Sequence, residues 1–493
     1  MNTSAMVGVE VERPLKIHFI PYLASSHMIP LSDIAAMFAS HGQHVTIITT
    51  PSNAKFLTKS LSYAAPFFLR LHTVDFPFQQ MDLPEGIESI SSTTDLVTTW
   101  KINNGAMLLH RPIEDFIKND PPDCIISDSA YPWVNDLAQK LQIPNFTYNV
   151  LSVFPVLLME SLRTNNLLFT DSDSDSSSYI VPNFPLPITM CSKPPKVLSK
   201  FIGLMLDTVF KSNGFIVNNF IELDGEECIQ HYEKTVGHKA WHLGPSSIWR
   251  TTLEKSGGGN EGAESEHECL RWLNSQQVNS VLYICFGSLN YFSDKQLYEI
   301  AYAIEASGHP FIWVVLEKKG KEDENEEEKE KWLPKGFEER NIGKKGLIVR
   351  GWAPQVQILS HPAVGGFMTH CGGNSFVEAV GAGVPMITWP GHGDQLFNEK
   401  LITQVRGIGV EVGATEWRAH GIGERKKLVS RDDIEKAMRR LMDSSDEAEG
   451  MRLRARELGE KAKRAIQEGG SSHHNLLTLI DELKKLRDCK PLD

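Results

Sequence analysis

Two stretches of this chain alternate short β-branched runs with amphipathic helical runs, and a Gly-, Ser- and Glu-rich segment separates them. Leu15 to Tyr22 (LKIHFIPY) has strand length and strand composition. Leu31, Ile34, Ala35 and Phe38 then recur at i, i+3, i+4 and i+7, the apolar face of a helix that stops at Gly42. His44 to Thr50 (HVTIITT) reads as the next strand. A strand–helix–strand connection of this kind makes its two strands parallel. A second unit starts at Asp123 to Asp128 (DCIISD), followed by a helix with Val134, Leu137, Ala138 and Leu141 inward. Residues 244–268 have linker composition. The alternation then restarts: Ser280 to Phe286 (SVLYICF) is a strand, Gly287-Ser288 turn the chain, and Leu297, Ile300, Ala301 and Ile304 line a helix opened by the capping box Ser293–Gln296. Phe311 to Leu316 is the next strand. The expectation is an α/β protein of two doubly wound domains, 1–243 and 276–470, with a linker at 244–275 and a closing helix at 471–493. Two such halves face each other across a cleft, and doubly wound sheets bind ligands beyond the carboxyl ends of their strands.

Composition narrows the function. Fifty Lys+Arg against 62 Asp+Glu leave a net charge of −12, which argues against a protein that reads a nucleic-acid backbone. The seven cysteines are odd in number and scattered without C-x-x-C or Cys/His spacing, so neither a disulfide frame nor a metal site is expected. The N-terminus lacks the apolar region of a secretory signal, and no apolar run reaches the ~18–20 residues of a membrane span. A cytoplasmic, monomeric enzyme without a transmembrane segment is expected. The segments 171–178 (DSDSDSSS) and 321–331 (KEDENEEEKEK) read as solvated loops.

Residues 352–395 carry the chemistry: WAPQVQILSHPAVGGFMTHCGGNSFVEAVGAGVPMITWPGHGDQ. Val364 to Thr369 is a strand and Ser375 to Val380 opens a helix, with His370-Cys371-Gly372-Gly373-Asn374 between them. Small residues allow close approach of a ligand to the backbone, and the helix start offers unpaired N–H donors and positive dipole. Such a bend suits a diphosphate, with His370, Asn374 and Ser375 as extra donors. Cys371 reads as a packed small residue. Ser375 and Glu378 also spell a capping box, S-x-x-E. Competing signatures are missing: no G-x-G-x-x-G follows the first strand, no P-loop and no G-x-S-x-G occurs, and the D-x-D at Asp171-Ser172-Asp173 lies in a polar run with no strand before it.

The 44 residues 352–395 resemble the plant secondary-product box of family 1 UDP-dependent glycosyltransferases, matching it at WAPQ, HP, THCG, NS, the Glu three residues after Ser375, GVPM, WP and DQ. The resemblance extends over nearly the whole chain. It implies the GT-B architecture, two Rossmann-like domains with the donor held mainly by the second, and a closing helix packed back on the first. It further implies that Trp352 stacks on uracil and that Ala353 and Gln355 read the base edge and ribose side. Ser288, His370, Gly372, Asn374 and Ser375 would hold the diphosphate, Glu378 the ribose hydroxyls, and Asp394 and Gln395 the sugar hydroxyls. Gln395 at the end of the box resembles glucose-using members, so UDP-glucose is the expected co-substrate; no cofactor and no metal are expected. The family most often has Trp at the place of Gly373, and its absence is expected to enlarge the wall beside the sugar.

Inverting glycosyl transfer needs a base for the acceptor hydroxyl. His27, in the loop Ser25-Ser26-His27-Met28-Ile29-Pro30 between the first strand and the first helix, matches the family's H-x-x-P setting, and Asp128, closing its strand, matches the aspartate that orients the histidine. The acceptor is expected to be a small lipophilic molecule with a hydroxyl or carboxyl, a triterpenoid (saponin precursor) first and a flavonoid second. A catalytically inactive nucleotide-sugar binder is the alternative of another class.

Overall fold

Every pairing in the two large sheets is parallel, and each sheet reverses its strand order beside its first strand. The structure, a computed structural model, describes residues 13–93, 95–167, 178–191, 196–256, 267–288, 290–316, 332–417 and 427–489. The polar run at 171–177 with its D-x-D, the acidic run at 321–331 and residues 257–266 of the expected linker lie outside them.

The first sheet has the order β3-β2-β1-β4-β5-β8-β9. Its strands are β1 (Lys16–Ile20), β2 (His44–Thr49), β3 (Leu69–Thr73), β4 (Cys124–Asp128), β5 (Asn145–Asn149), β8 (Phe215–Val217) and β9 (Ala240–His242). A separate antiparallel pair, β6 (Tyr179–Ile180) and β7 (Thr189–Met190), lies between β5 and β8 in the chain. The second sheet has the order β12-β11-β10-β13-β14-β15. It comprises β10 (Val281–Cys285), β11 (Phe311–Val315), β12 (Gly346–Arg350), β13 (Val364–Thr369), β14 (Met386–Thr388) and β15 (Gly409–Glu411). The GT-B expectation of two Rossmann-like sheets is met. Strands of both sheets are buried almost without alternation, as parallel strands covered by helices on both faces must be.

Helix α1 (Ser25–Ser40) follows β1 and buries Leu31, Ile34, Ala35 and Phe38 against the first sheet. The helix starts at Ser25, so His27 lies in its first turn rather than in a free loop. Ser293 caps helix Asp294–Ser307 by accepting from the Gln296 N–H at 3.3 Å. The Gln296 side chain does not complete the capping box: it exchanges two hydrogen bonds of 2.9 Å with the Val429 backbone instead. The polar segment after residue 244 is not all extended, because Ser246–Ser256 is a helix seated on α1 through Arg250 and Asp33, 3.1 Å apart. Helix Ser471–Asp488 lays Leu476, Leu479, Ile480 and Leu483 into the core of the first sheet, and Ser472 donates to the Gly244 carbonyl at 2.6 Å.

The lobes are joined by more than the chain. One apolar core runs from Phe154, Leu157 and Leu158 in the first lobe to Phe376, Phe397 and Leu401 in the second. Gln404 exchanges two hydrogen bonds of 2.9 Å with the Thr189 backbone. Among the described residues no helix is long and apolar enough to cross a membrane. All seven cysteines are free thiols.

Candidate active site

The two lobes meet at their switch points. In the first sheet the order reverses between the adjacent strands β1 and β4; α1 follows β1, and Asp128 is the last residue of β4. Neighbouring strand ends therefore deliver His27 and Asp128 to one place. His27 Nδ1 lies 2.8 Å from Asp128 Oδ2, with the carboxylate wholly buried and the imidazole 22% exposed. The other carboxylate oxygen accepts the Ala130 N–H at 2.9 Å. A carboxylate only accepts, so Nδ1 is the donor, and the tautomer with the lone pair on Nε2 is the neutral form this contact favours. The Tyr22 ring meets the imidazole edge-on, centroids 5.2 Å apart, and its hydroxyl is bonded to Asn103 of helix Leu96–Leu108.

In the second sheet the reversal lies between β10 and β13, and the residues that follow these strands are Gly287-Ser288 and His370 to Asn374. Helix Gly373–Ala382 begins here, two residues before the expected start, with Gly372 as its N-cap and no side chain capping it. Ser375 is thus inside the helix, and Ser375 and Glu378 do not form a capping box. The uncapped first turn leaves N–H donors beside the bend, the arrangement that binds anions at helix starts.

The bend is built around His370. A Cβ on Gly287 would lie 2.6 Å from His370 Cε1, and one on Gly372 would lie 2.4 Å from Nε2, so only glycines fit against this ring. Gly287 also has φ +74°, which favours glycine independently. Burial pulls the His370 pKa down to about 3, with the nearby His392 pushing the same way. The ring is neutral in any physiological range, so it can offer a neutral N–H but not a positive charge. Its buried Nδ1 has no hydrogen-bond partner among the described residues.

Gln355 ties the rest of this wall together. Its amide donates to Ser375 Oγ at 3.0 Å and to Glu378 Oε2 at 2.7 Å, while its carbonyl accepts from the Tyr283 hydroxyl at 3.4 Å. Burial raises the Glu378 pKa, opposed by the Gln355 hydrogen bond and then by the charge of Arg250. Trp352 is 78% exposed, its ring edge-on to His267 with centroids 6.4 Å apart, and Ala353 behind it is buried. Ser288 is exposed in the turn after β10.

Asp394 is near enough to His27 to feel its charge. Burial pushes its pKa up to about 6, against a 2.6 Å hydrogen bond from Asn398 and the charge of His27. Gln395 is buried. Its side-chain oxygen accepts the N–H groups of Gly391 and His392 at 2.8 and 3.1 Å, so that oxygen shapes the loop.

The lobes touch where the bend meets α1. Asn374 Nδ2 donates to the Ser26 carbonyl at 2.5 Å, one residue before His27. The structure therefore brings His27, Asp128, Asn374 and Asp394 together, with Ser375, Gln355 and Glu378 on the adjoining wall. The expected enlargement at Gly373 does not occur: the Val150 carbonyl of the first lobe stands where a side chain would project, 2.5 Å from a Cβ built on Gly373. Sequence reasoning missed Val150, Tyr22, Asn103 and Arg250. None has a motif, and Arg250 lies in the segment whose composition reads as linker.

The family model described as "UDP-glucoronosyl and UDP-glucosyl transferase" matches residues 226–443. A UDP-glucosyl transferase, 73CC6, of Saponaria officinalis is 44% identical over 491 residues, covering 97% of this chain and 99% of the relative. UDP-glucose flavonoid 3-O-glucosyltransferase 7 of Fragaria ananassa is 41% identical, covering 96% of each. The crystal structure of Glycyrrhiza uralensis UGT73P12 complexed with glycyrrhetinic acid 3-O-monoglucuronide superposes with a TM-score of 0.85 at 36% identity, covering 96% of each chain. With the box at 352–395 on the second lobe and full-length relatives at this identity, the chain belongs to the plant family 1 UDP-dependent glycosyltransferases, enzymes that transfer a sugar from a UDP-sugar.

Proposed function

We propose that this enzyme transfers glucose from UDP-glucose, with inversion, to a hydroxyl or carboxyl of a triterpenoid, acting as a cytoplasmic monomer without a metal. The observation that carries the mechanism is the His27–Asp128 pair, 2.8 Å apart, beside the bend of the opposite lobe. In this reading the uracil stacks on exposed Trp352, with Ala353 and Gln355 at its edge, and Glu378 accepts the ribose hydroxyls. The diphosphate rests on Gly372, Asn374 and Ser375 at the uncapped helix start, helped by Ser288 and neutral His370. Asp394, with Gln395 behind it, receives the sugar hydroxyls.

His27 Nε2 takes the acceptor proton as the acceptor oxygen attacks the anomeric carbon. The carbon–oxygen bond to UDP breaks on the opposite face, and its electron pair leaves on the β-phosphate. Asp128 keeps the proton of the ring on Nδ1 and steadies the imidazolium that forms. The triterpenoid class is supported by the glycyrrhetinic acid 3-O-monoglucuronide held by the similar Glycyrrhiza structure. The Fragaria relative supports a flavonoid as the second reading. Mass spectrometry of products from purified enzyme, against panels of both acceptor classes and several UDP-sugars, decides between them. Transfer to a triterpenoid from UDP-glucose is the expected result, and preferential use of a flavonoid or another donor would replace that assignment.

A further inference from the structure

Gly373 is not a glycine for backbone reasons. It is the first residue of helix Gly373–Ala382, and its φ lies outside the positive range that favours glycine. What forbids a side chain is the other lobe. A Cβ would lie 2.5 Å from the Val150 carbonyl oxygen and 3.5 Å from its carbon; the next neighbour, Asp394 Oδ2 at 3.7 Å, is an ordinary contact.

The Val150 carbonyl cannot easily yield. It belongs to the short loop after β5, and both sides of that loop are pinned. Asn149 Oδ1 accepts the Leu151 N–H at 3.0 Å. Ser152 Oγ donates to the buried carboxylate of Asp224 at 2.7 Å, and the Val153 and Phe154 N–H groups donate to it at 3.1 Å. The next residue along from Gly373 is Asn374, whose amide grips the Ser26 carbonyl. Two consecutive residues of the second lobe thus meet the loop after β5 and the first turn of α1, which carries His27.

We propose that Gly373 is a positioning residue: its missing side chain lets the bend dock on the pinned Val150 loop, and this docking sets the distance between donor and His27. The proposal rests on the reading of the bend as the donor's seat and His27 as the base. In its own lobe a methyl group at 373 comes within ordinary van der Waals contact of Asp394 Oδ2, at 3.7 Å, so it should separate the lobes and leave the nucleotide site intact.

The test is Gly373→Ala, assayed for turnover with saturating UDP-glucose and for UDP affinity by calorimetry. The expected result is a kcat lower by about a hundredfold, the scale of an ångström-sized misplacement, with the UDP Kd within about twofold of wild type. Ser152→Ala, which frees the loop from Asp224, should lower kcat by itself at unchanged UDP affinity and recover part of the Gly373→Ala loss when combined with it. A purely structural glycine would not show that rescue. Gly373→Ala with wild-type kcat overturns the proposal; if that variant does not fold, wild-type kcat in Ser152→Ala overturns it. The underlying reading fails separately, if wild-type enzyme does not bind UDP or if the His27→Ala variant keeps turning over.

Discussion

The side-chain amide of Asn374, in the second lobe, donates to the main-chain carbonyl of Ser26, in the first, at 2.5 Å. A residue proposed to hold the donor diphosphate is therefore also one bond away from the proposed base. Asn374→Asp keeps the shape but replaces the donor with a carboxylate, which repels both the Ser26 carbonyl and a diphosphate. Because an unmatched charged acceptor costs more than a lost hydrogen bond, kcat/KM for UDP-glucose should fall by about a hundredfold or more. Initial rates over a donor series check this.

As the proposed acceptor of the sugar hydroxyls, Asp394 should give the enzyme a pH signature. Burial pushes its pKa up to about 6, so the carboxyl is mostly ionised at pH 7 and mostly protonated at pH 5. Only the ionised form accepts hydrogen bonds from sugar hydroxyls at both oxygens. The KM for UDP-glucose should therefore rise as pH falls through about 6, by up to roughly tenfold between pH 7 and pH 5, the change in ionised fraction. The affinity for UDP, which lacks the hexose, should not follow this curve. In Asp394→Asn the KM should be high and flat over the same range.

Arg250 should matter for stability more than for chemistry. It is the cationic partner of Asp33, which is 3% exposed and also accepts the Tyr63 hydroxyl at 2.6 Å. Burial raises the Asp33 pKa to about 6 even with Arg250 beside it. Arg250→Met leaves this carboxylate unpaired and should cost about 3 kcal/mol at pH 8. The folded-state pKa of Asp33, already above its unfolded value, rises further in the variant, so the folded state holds the extra proton. Its stability therefore falls with rising pH, and the loss should be smaller at pH 5 than at pH 8. The double variant Asp33→Asn/Arg250→Met should recover most of it. Urea unfolding at the two pH values measures both effects.

The sheets were legible because parallel strands leave strong signals: short β-branched runs such as HVTIITT, separated by helices of period 3.6. The bend at His370 to Ser375 was legible because a strand, small residues and a helix start must follow in that order. What spacing cannot carry is contact between distant segments. Nothing in the sequence near Val150 says that its carbonyl will face Gly373, and the expectation of a roomier pocket failed for that reason. Ser375 and Glu378 look like a cap, yet Gln355, 20 and 23 residues away, takes both side chains. Gln395 fits the box, but the loop before it supplies three-dimensional partners that no pattern reveals.

The account stands on His27 as the base, and one paired measurement tests it most directly: turnover and UDP binding of His27→Ala on the same preparation. Loss of a positioned general base should lower kcat by about a thousandfold or more, while the UDP Kd, which the proposed seat on the second lobe would set, stays within about twofold of wild type. Transfer at near wild-type rates by a variant that still binds UDP would contradict the account.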